Sequence, residues 1–158
     1  MRLGITGHRG LPEKTEQLVR EALAELVREY EPGKLTGVSC LAEGPDTWFA
    51  EAVLEHGGKI EAVVPSRTYR EALPDHHVPT YDRLLGQAVK VYDTGLSESN
   101  PTADMLANEN LVGLVDELLA VWDGRPARAY GGAADVVAHA ERQEVRVRRV
   151  WPEGSTRT

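Results

Sequence analysis

The segment Gly131-Gly132-Ala133-Ala134-Asp135 follows a strand-like run, Leu118–Asp123, and opens a stretch in which Ala133, Val136, Val137 and Ala140 share a face. Paired glycines between a strand and a helix leave the backbone bare where the first helical N–H groups have no internal partner. Those donors and the positive end of the helix dipole make an anion site, with phosphate as the usual occupant. Two further junctions of this kind lie at Gly7–Pro12 and Glu43–Asp46. Together they predict convergence on one ligand.

The side chains at these junctions refine the expectation. Gly7 permits close approach, and in Gly7-His8-Arg9-Gly10 the Arg9 fork of donors suits a phosphate; the alternative is a tight turn with solvated side chains. In Ser39–Asp46, Ser39 offers a hydroxyl, Glu43 and Gly44 form the turn, and Cys40 is a small buried filler. Asp46 either complements the helix dipole or accepts from a ribose hydroxyl or base. Asn108 lies on the same stripe as Met105 and Val112, so its amide needs a partner: a ligand, backbone or water. Asp123-Gly124 closes a strand, and Gly131-Gly132 follows shortly after. Phosphate is expected on the N–H groups of Gly131, Gly132 and Ala133 and near Gly7, His8 and Arg9. Glu43, Gly44, Asp46 and Asn108 fall near ribose or base, and Ser39, Asp123, Gly124 and Asp135 complete the candidate set. Arg67 reads as an exposed loop residue. Asp75-His76-His77 lacks a second ligand cluster and reads as solvated, so no metal is expected. No Gly-x-Ser-x-Gly elbow, Walker lysine loop or Gly-x-Gly-x-x-Gly fingerprint occurs.

The elements that must hold these residues alternate. Strands are expected at Arg2–Thr6, Lys34–Ala42, Ile60–Pro65, Ala88–Thr94, Leu118–Asp123 and Val145–Trp151. The unbroken apolar run in 118–122 suits a strand covered on both faces, and the Val/Arg alternation from Val145 suits a half-exposed edge. Helices are marked by Leu18 to Tyr30, by Pro45 to Val53, by Tyr81 to Ala88, by Met105 to Val115 and by Ala133 to Ala140. Ser66–Thr80 reads as a long loop. The pattern predicts an α/β fold: a Rossmann-like, doubly wound, mainly parallel sheet of about six strands with helices on both faces. In such sheets ligands lie beyond the carboxyl ends of the strands, where strand order reverses. One domain is expected over 1–152, followed by a polar tail, 153–158, that frays.

Hydrophobic residues make up 41% and charged residues 27% of the 158, ordinary for a globular protein. No apolar run reaches membrane-spanning length. The lone Cys40 excludes an internal disulfide, and a cytoplasmic location is the expectation. A formal net charge of −7 disfavours direct DNA binding. A homodimer is compatible with an α/β domain, although no feature specifies one.

Ser39–Phe49 (Ser-Cys-Leu-Ala-Glu-Gly-Pro-Asp-Thr-Trp-Phe) resembles the Ser-Gly-Leu-Ala-x-Gly-x-Asp signature of DprA/Smf and YpsA-like proteins. Gly4–Gly7, Tyr81–Leu85, Leu118–Gly124 and Gly131–Asp135 follow in the order of the same superfamily, SLOG, and the likeness runs from Arg2 to Trp151, closest to the YpsA-like members. The resemblance implies a sensor-type domain binding a nucleotide or nucleotide derivative, with no certain cofactor beyond that phosphate-bearing ligand. The Lonely Guy (LOG) branch cleaves nucleoside 5′-monophosphates with an Arg in Met-x-x-Arg and a Glu in Pro-Gly-Gly-x-Gly-Thr-x-x-Glu. Here Asn108 stands at the arginine position, Tyr130 precedes the glycines, and Ala138 stands at the glutamate position. An amide supplies no fixed charge and a methyl polarises no water. Binding is therefore the expectation; a phosphoribohydrolase would need other residues, from Glu43, Asp46 and Asp135.

Overall fold

The computed structural model describes residues 1–128 and 130–158. Six parallel strands form one sheet: β1 (Arg2–Gly7), β2 (Thr36–Ser39), β3 (Lys59–Val64), β4 (Lys90–Asp93), β5 (Glu117–Val121) and β6 (Arg146–Arg149). Their spatial order is β4-β3-β2-β1-β5-β6. The chain winds outward from β1 to one edge and then returns to β5 on its other side. The carboxyl ends of β1 and β5 therefore flank the point where strand order reverses, with Gly7 paired to Val121.

Alternate strand residues face opposite layers. Leu3, Ile5, Leu119 and Val121 enter a core with α1 (Glu13–Val27), α2 (Pro45–Glu55) and α4 (Val78–Gln87), filled by Leu23, Phe49 and Leu84. On the other face, Val38, Val63 and Leu118 pack against α5 (Pro101–Val112) and α6 (Ala133–Arg142) through Met105, Leu111 and Val136. β5 is buried at every position, as its unbroken apolar run requires, and β6 is an edge with Arg146 and Arg149 exposed. Small residues let the layers close: a Cβ on Gly37 would stand 2.9 Å from the Phe49 ring. No helix among the described residues is long and apolar enough to cross a membrane.

Several expected boundaries move. β2 ends at Ser39 rather than Ala42 because Leu41 turns the chain at φ 58, in the left-handed region. Its amide donates to the Ser39 hydroxyl, and its carbonyl accepts from His77, so neighbours impose a conformation leucine disfavours. At the start of β2, Lys34 belongs to a 3₁₀ turn, Pro32–Lys34. Ser66–Thr80 is not one long loop: it contains α3 (Tyr69–Ala72), and α4 begins at Val78 with Pro79 in its first turn. Similarly, α5 begins at Pro101, where the Asn100 side chain caps the Ala103 N–H at 2.8 Å. The segment 153–158 meets α1. The buried Thr15 hydroxyl donates to the Thr156 carbonyl at 2.7 Å and accepts the Thr156 N–H at 2.8 Å.

Candidate functional site

The three glycine-marked junctions open on one cavity of about 370 Å³ at the β1/β5 switch point. Thr6 through Arg9 form its floor, Ala42, Glu43 and Asp46 one wall, and Asp104 and Asn108 on α5 another. Gly131, Gly132 and Ala133 close the far side together with Arg128, Tyr130 and Arg157. Of the sequence-derived candidates, Gly7, His8, Arg9, Glu43, Asp46, Asn108, Gly131, Gly132 and Ala133 thus meet around a single space.

The others do local structural work. Ser39 is fully buried and donates to the Asp46 carbonyl at 3.0 Å. Gly44, at φ 94, is the N-cap of α2 and lines a neighbouring cavity. Gly124, at φ 84, packs under the Arg149 guanidinium. Asp123 accepts from the Arg125 N–H and holds His8. Asp135 reaches back to the Gly131 N–H at 2.9 Å, which removes that donor from an incoming anion. Among the described residues, the N–H groups of Ala133 and Ala134 have no protein partner, so the open helix start lies slightly further along than expected. Gly7, moreover, is needed less for ligand approach than for packing. A Cβ there would stand 2.8 Å from Pro45, so its absence lets α2 begin against the end of β1.

The electrostatics divide the cavity. At one end Arg9, exposed at the surface, faces Tyr69, Asp46, Asp104 and Glu43; burial opposes its charge, and these groups together outweigh burial and raise its pKa. Burial lifts the Asp46 carboxyl to about 6, against the pull of Arg9 and of the Ala42 N–H, and Asp104 adds to the lift. Burial likewise raises Asp104, with Arg9 opposing. Beneath them the Cys40 thiol is pushed up by burial, which rules against a thiolate nucleophile, and the Tyr69 hydroxyl is sealed without a partner.

At the other end His8 is buried, not solvated, with its ring edge-on to Trp151 at 5.9 Å. Its Nε2 lies 3.1 Å from the Asp123 backbone nitrogen and 3.3 Å from the Asp123 carboxylate. Burial lowers the His8 pKa, and Arg157 and Arg128 push the same way, against Asp123. His8 is therefore neutral at neutral pH. Among the described residues, Arg9, Arg128 and Arg157 make no hydrogen bond or salt bridge. Three guanidinium groups around one cavity thus keep free donors. Sequence reasoning missed Arg128, Tyr130, Asp104 and Arg157, and the Thr15–Thr156 clip explains the last of these.

The adjacent His76 and His77 separate. His76 is exposed beside Glu43 at 3.3 Å, and His77 is buried, bonded to the Leu41 carbonyl at 3.0 Å. No metal-binding group of three His, Cys, Asp or Glu forms among the described residues.

No family model matches the chain, and no curated protein matches it. Solved structures do. DNA processing protein A from Streptococcus pneumoniae superposes with a TM-score of 0.67 at 19% identity, over 94% of this chain and 49% of that one. DNA processing protein A from Helicobacter pylori gives 0.70 at 14%, over 99% and 68%. The molybdenum cofactor carrier protein from Chlamydomonas reinhardtii gives 0.60 at 15%, over 94% and 74%. The chain shares the fold of these proteins.

That fold is fixed without singling out the YpsA-like branch, and the chain spans about half the length of the S. pneumoniae protein. The H. pylori protein is described by its single-stranded DNA binding mode. The expectation against direct DNA contact gains no support from these neighbours.

Proposed function

We propose that this SLOG domain binds a small phosphate-bearing ligand, a nucleotide or nucleotide derivative, at the β1/β5 switch point. The observation that carries the reading is a set of donors on one cavity that, among the described residues, have no protein partner: Arg9, Arg128, Arg157 and the first N–H groups of α6. Guanidinium groups with free N–H donors beside a helix N-terminus favour an anion with several acceptor oxygens. The molybdenum cofactor carriers lend support, since a protein of this fold there holds a small molecule.

The test is a thermal-shift and calorimetric screen with AMP, GMP, ADP, ATP, ADP-ribose, NAD and cyclic nucleotides. At 100 times its dissociation constant a ligand adds about 2.7 kcal/mol, a rise of several degrees in Tm for a domain of this size. No shift with any of them, or full binding by Gly132→Asp, overturns the reading.

A second reading is hydrolysis of the N-glycosidic bond of a nucleoside 5′-monophosphate by residues other than the LOG pair. Its support is Asp46, whose carboxyl near 6 is poised to exchange a proton inside the cavity. Water would add to C1′, the C1′–N bond would break, and the proton would pass through Asp46 to the departing base. Chromatography for free base and ribose 5-phosphate decides it, and turnover unaffected by Asp46→Asn would remove Asp46 from the role.

A further inference from the structure

The two ends of the cavity differ in what they can recognise. The α6 end offers donors and positive charge: the N–H group of Ala133, with Arg128 and Arg157. The α5 end gathers Glu43, Asp46 and Asp104 around a single guanidinium, Arg9. Its acceptors are poorly served by the protein. Asp104 Oδ1 has no hydrogen-bond partner, and Asp46 Oδ2 accepts only the Ala42 N–H, at 3.4 Å. Asn108 spends one Nδ2 donor on the Asp104 carbonyl at 2.9 Å, which leaves its Oδ1 as an acceptor and one N–H as a donor. Half-buried acceptors left this way call for donors that arrive with the ligand.

Resting on the reading that a nucleotide-like ligand occupies this cavity, we propose that the site selects a guanine-type ring. The phosphate lies at the start of α6, and the adjacent N1–H and 2-amino groups face Asp104 and Asp46. A carboxylate accepts two parallel N–H bonds, and guanine presents two neighbouring donors on that edge. Hypoxanthine presents only N1–H there. Adenine puts a bare ring nitrogen where the first donor is needed, which turns attraction into repulsion with a carboxylate. A site lined with acceptors rejects the ring that lacks the donors because its polar groups then stay unpaired.

The experiment is calorimetric titration of GMP, IMP, AMP and ribose 5-phosphate into the wild type and into Asp104→Asn. In the wild type, GMP should bind about tenfold or more tighter than IMP, with AMP weakest, as the loss of one or both donors implies. Asp104→Asn should bring the GMP-to-IMP ratio close to one while ribose 5-phosphate affinity holds. AMP binding as tightly as GMP in the wild type, or a GMP preference that survives Asp104→Asn, overturns the inference. Ribose 5-phosphate binding alongside equal affinities for all purines would do so while leaving the phosphate site standing. Loss of binding for every compound would instead overturn the proposed function itself. The wild-type ratios alone decide the matter if the variant fails to fold.

Discussion

Two cavities lie side by side at the carboxyl edge of the sheet, of about 370 and 350 Å³, and both are walled in part by Glu43. The second answers its own charges. Arg20 bonds Glu16 at 2.8 Å and Glu51 at 3.4 Å while standing 5.2 Å over the Trp48 ring, and Arg83 bonds Glu51 at 2.9 Å. His76 sits against Glu43. In the first cavity Arg128 and Arg157 find no such partners among the described residues. Volume does not separate the two. What separates them is the charge each leaves unanswered, because a buried or half-buried ion without a counter-ion destabilises the folded state unless something else supplies one.

The sharpest break between the cavities is expected from Gly132→Asp. Gly132 is the N-cap of α6 at φ −70, a conformation aspartate adopts freely, so the helix should keep or gain stability. The carboxylate would occupy the anion site, and GMP affinity measured by calorimetry should fall by about 100-fold or more. Binding left within twofold would erase the distinction between the two spaces.

Next in size is a stability effect from Asp46. Its folded pKa near 6 lies above the ordinary 3.8, so the folded state binds a proton more tightly than the unfolded chain does. The resulting penalty is absent below about pH 4, grows as pH rises towards 6 and is complete above it. Asp46→Asn keeps an acceptor for the Ala42 N–H and should stabilise the protein by roughly 2 kcal/mol at pH 7.5. Melting curves at pH 7.5 and pH 4 check the sign: a gain of about 4–8 °C at the first and almost none at the second. An equal gain at both would assign the effect to packing instead.

Arg157→Ala should weaken GMP about tenfold, the worth of one charge-assisted contact. Thr15→Val, which removes both bonds to Thr156, should reproduce part of that loss with no change at the cavity wall itself. If Thr15→Val weakens nothing, Arg157 reaches the ligand without the clip. The smallest response belongs to the second cavity: Arg20→Ala should leave GMP binding unchanged and cost at most about 1 kcal/mol in a urea titration. A larger effect on binding than that of Arg157→Ala would reverse the assignment of the two spaces.

Much of this architecture was legible from the residues. The strand order of events along the chain follows from apolar runs such as 118–121, and the convergence of Gly7, Glu43 and Gly131 follows from strands that all end on one edge. The sheet edge at β6 was readable from its Val/Arg alternation. What escaped the sequence has physical causes. Leucine gives no signal for a left-handed turn, so the early end of β2 at Leu41 was invisible. Pro79 and Pro101 were present as helix-start residues, yet Pro79 in a polar stretch reads equally as a breaker. Asp104 was readable only once α5 was known to begin at Pro101, which places it in the first turn. Arg128 and Arg157 lie in polar segments, and their place is set by tertiary contacts that no local pattern encodes. Asp135 satisfied the spacing for a ligand contact and was spent on the Gly131 amide instead.

The pairing of Thr15 with Thr156 joins positions 141 residues apart, so the cavity draws its floor from the first strand and one of its guanidinium groups from beyond the last. A protease nick between Val150 and Thr156 would leave the sheet standing and remove an arginine from the pocket.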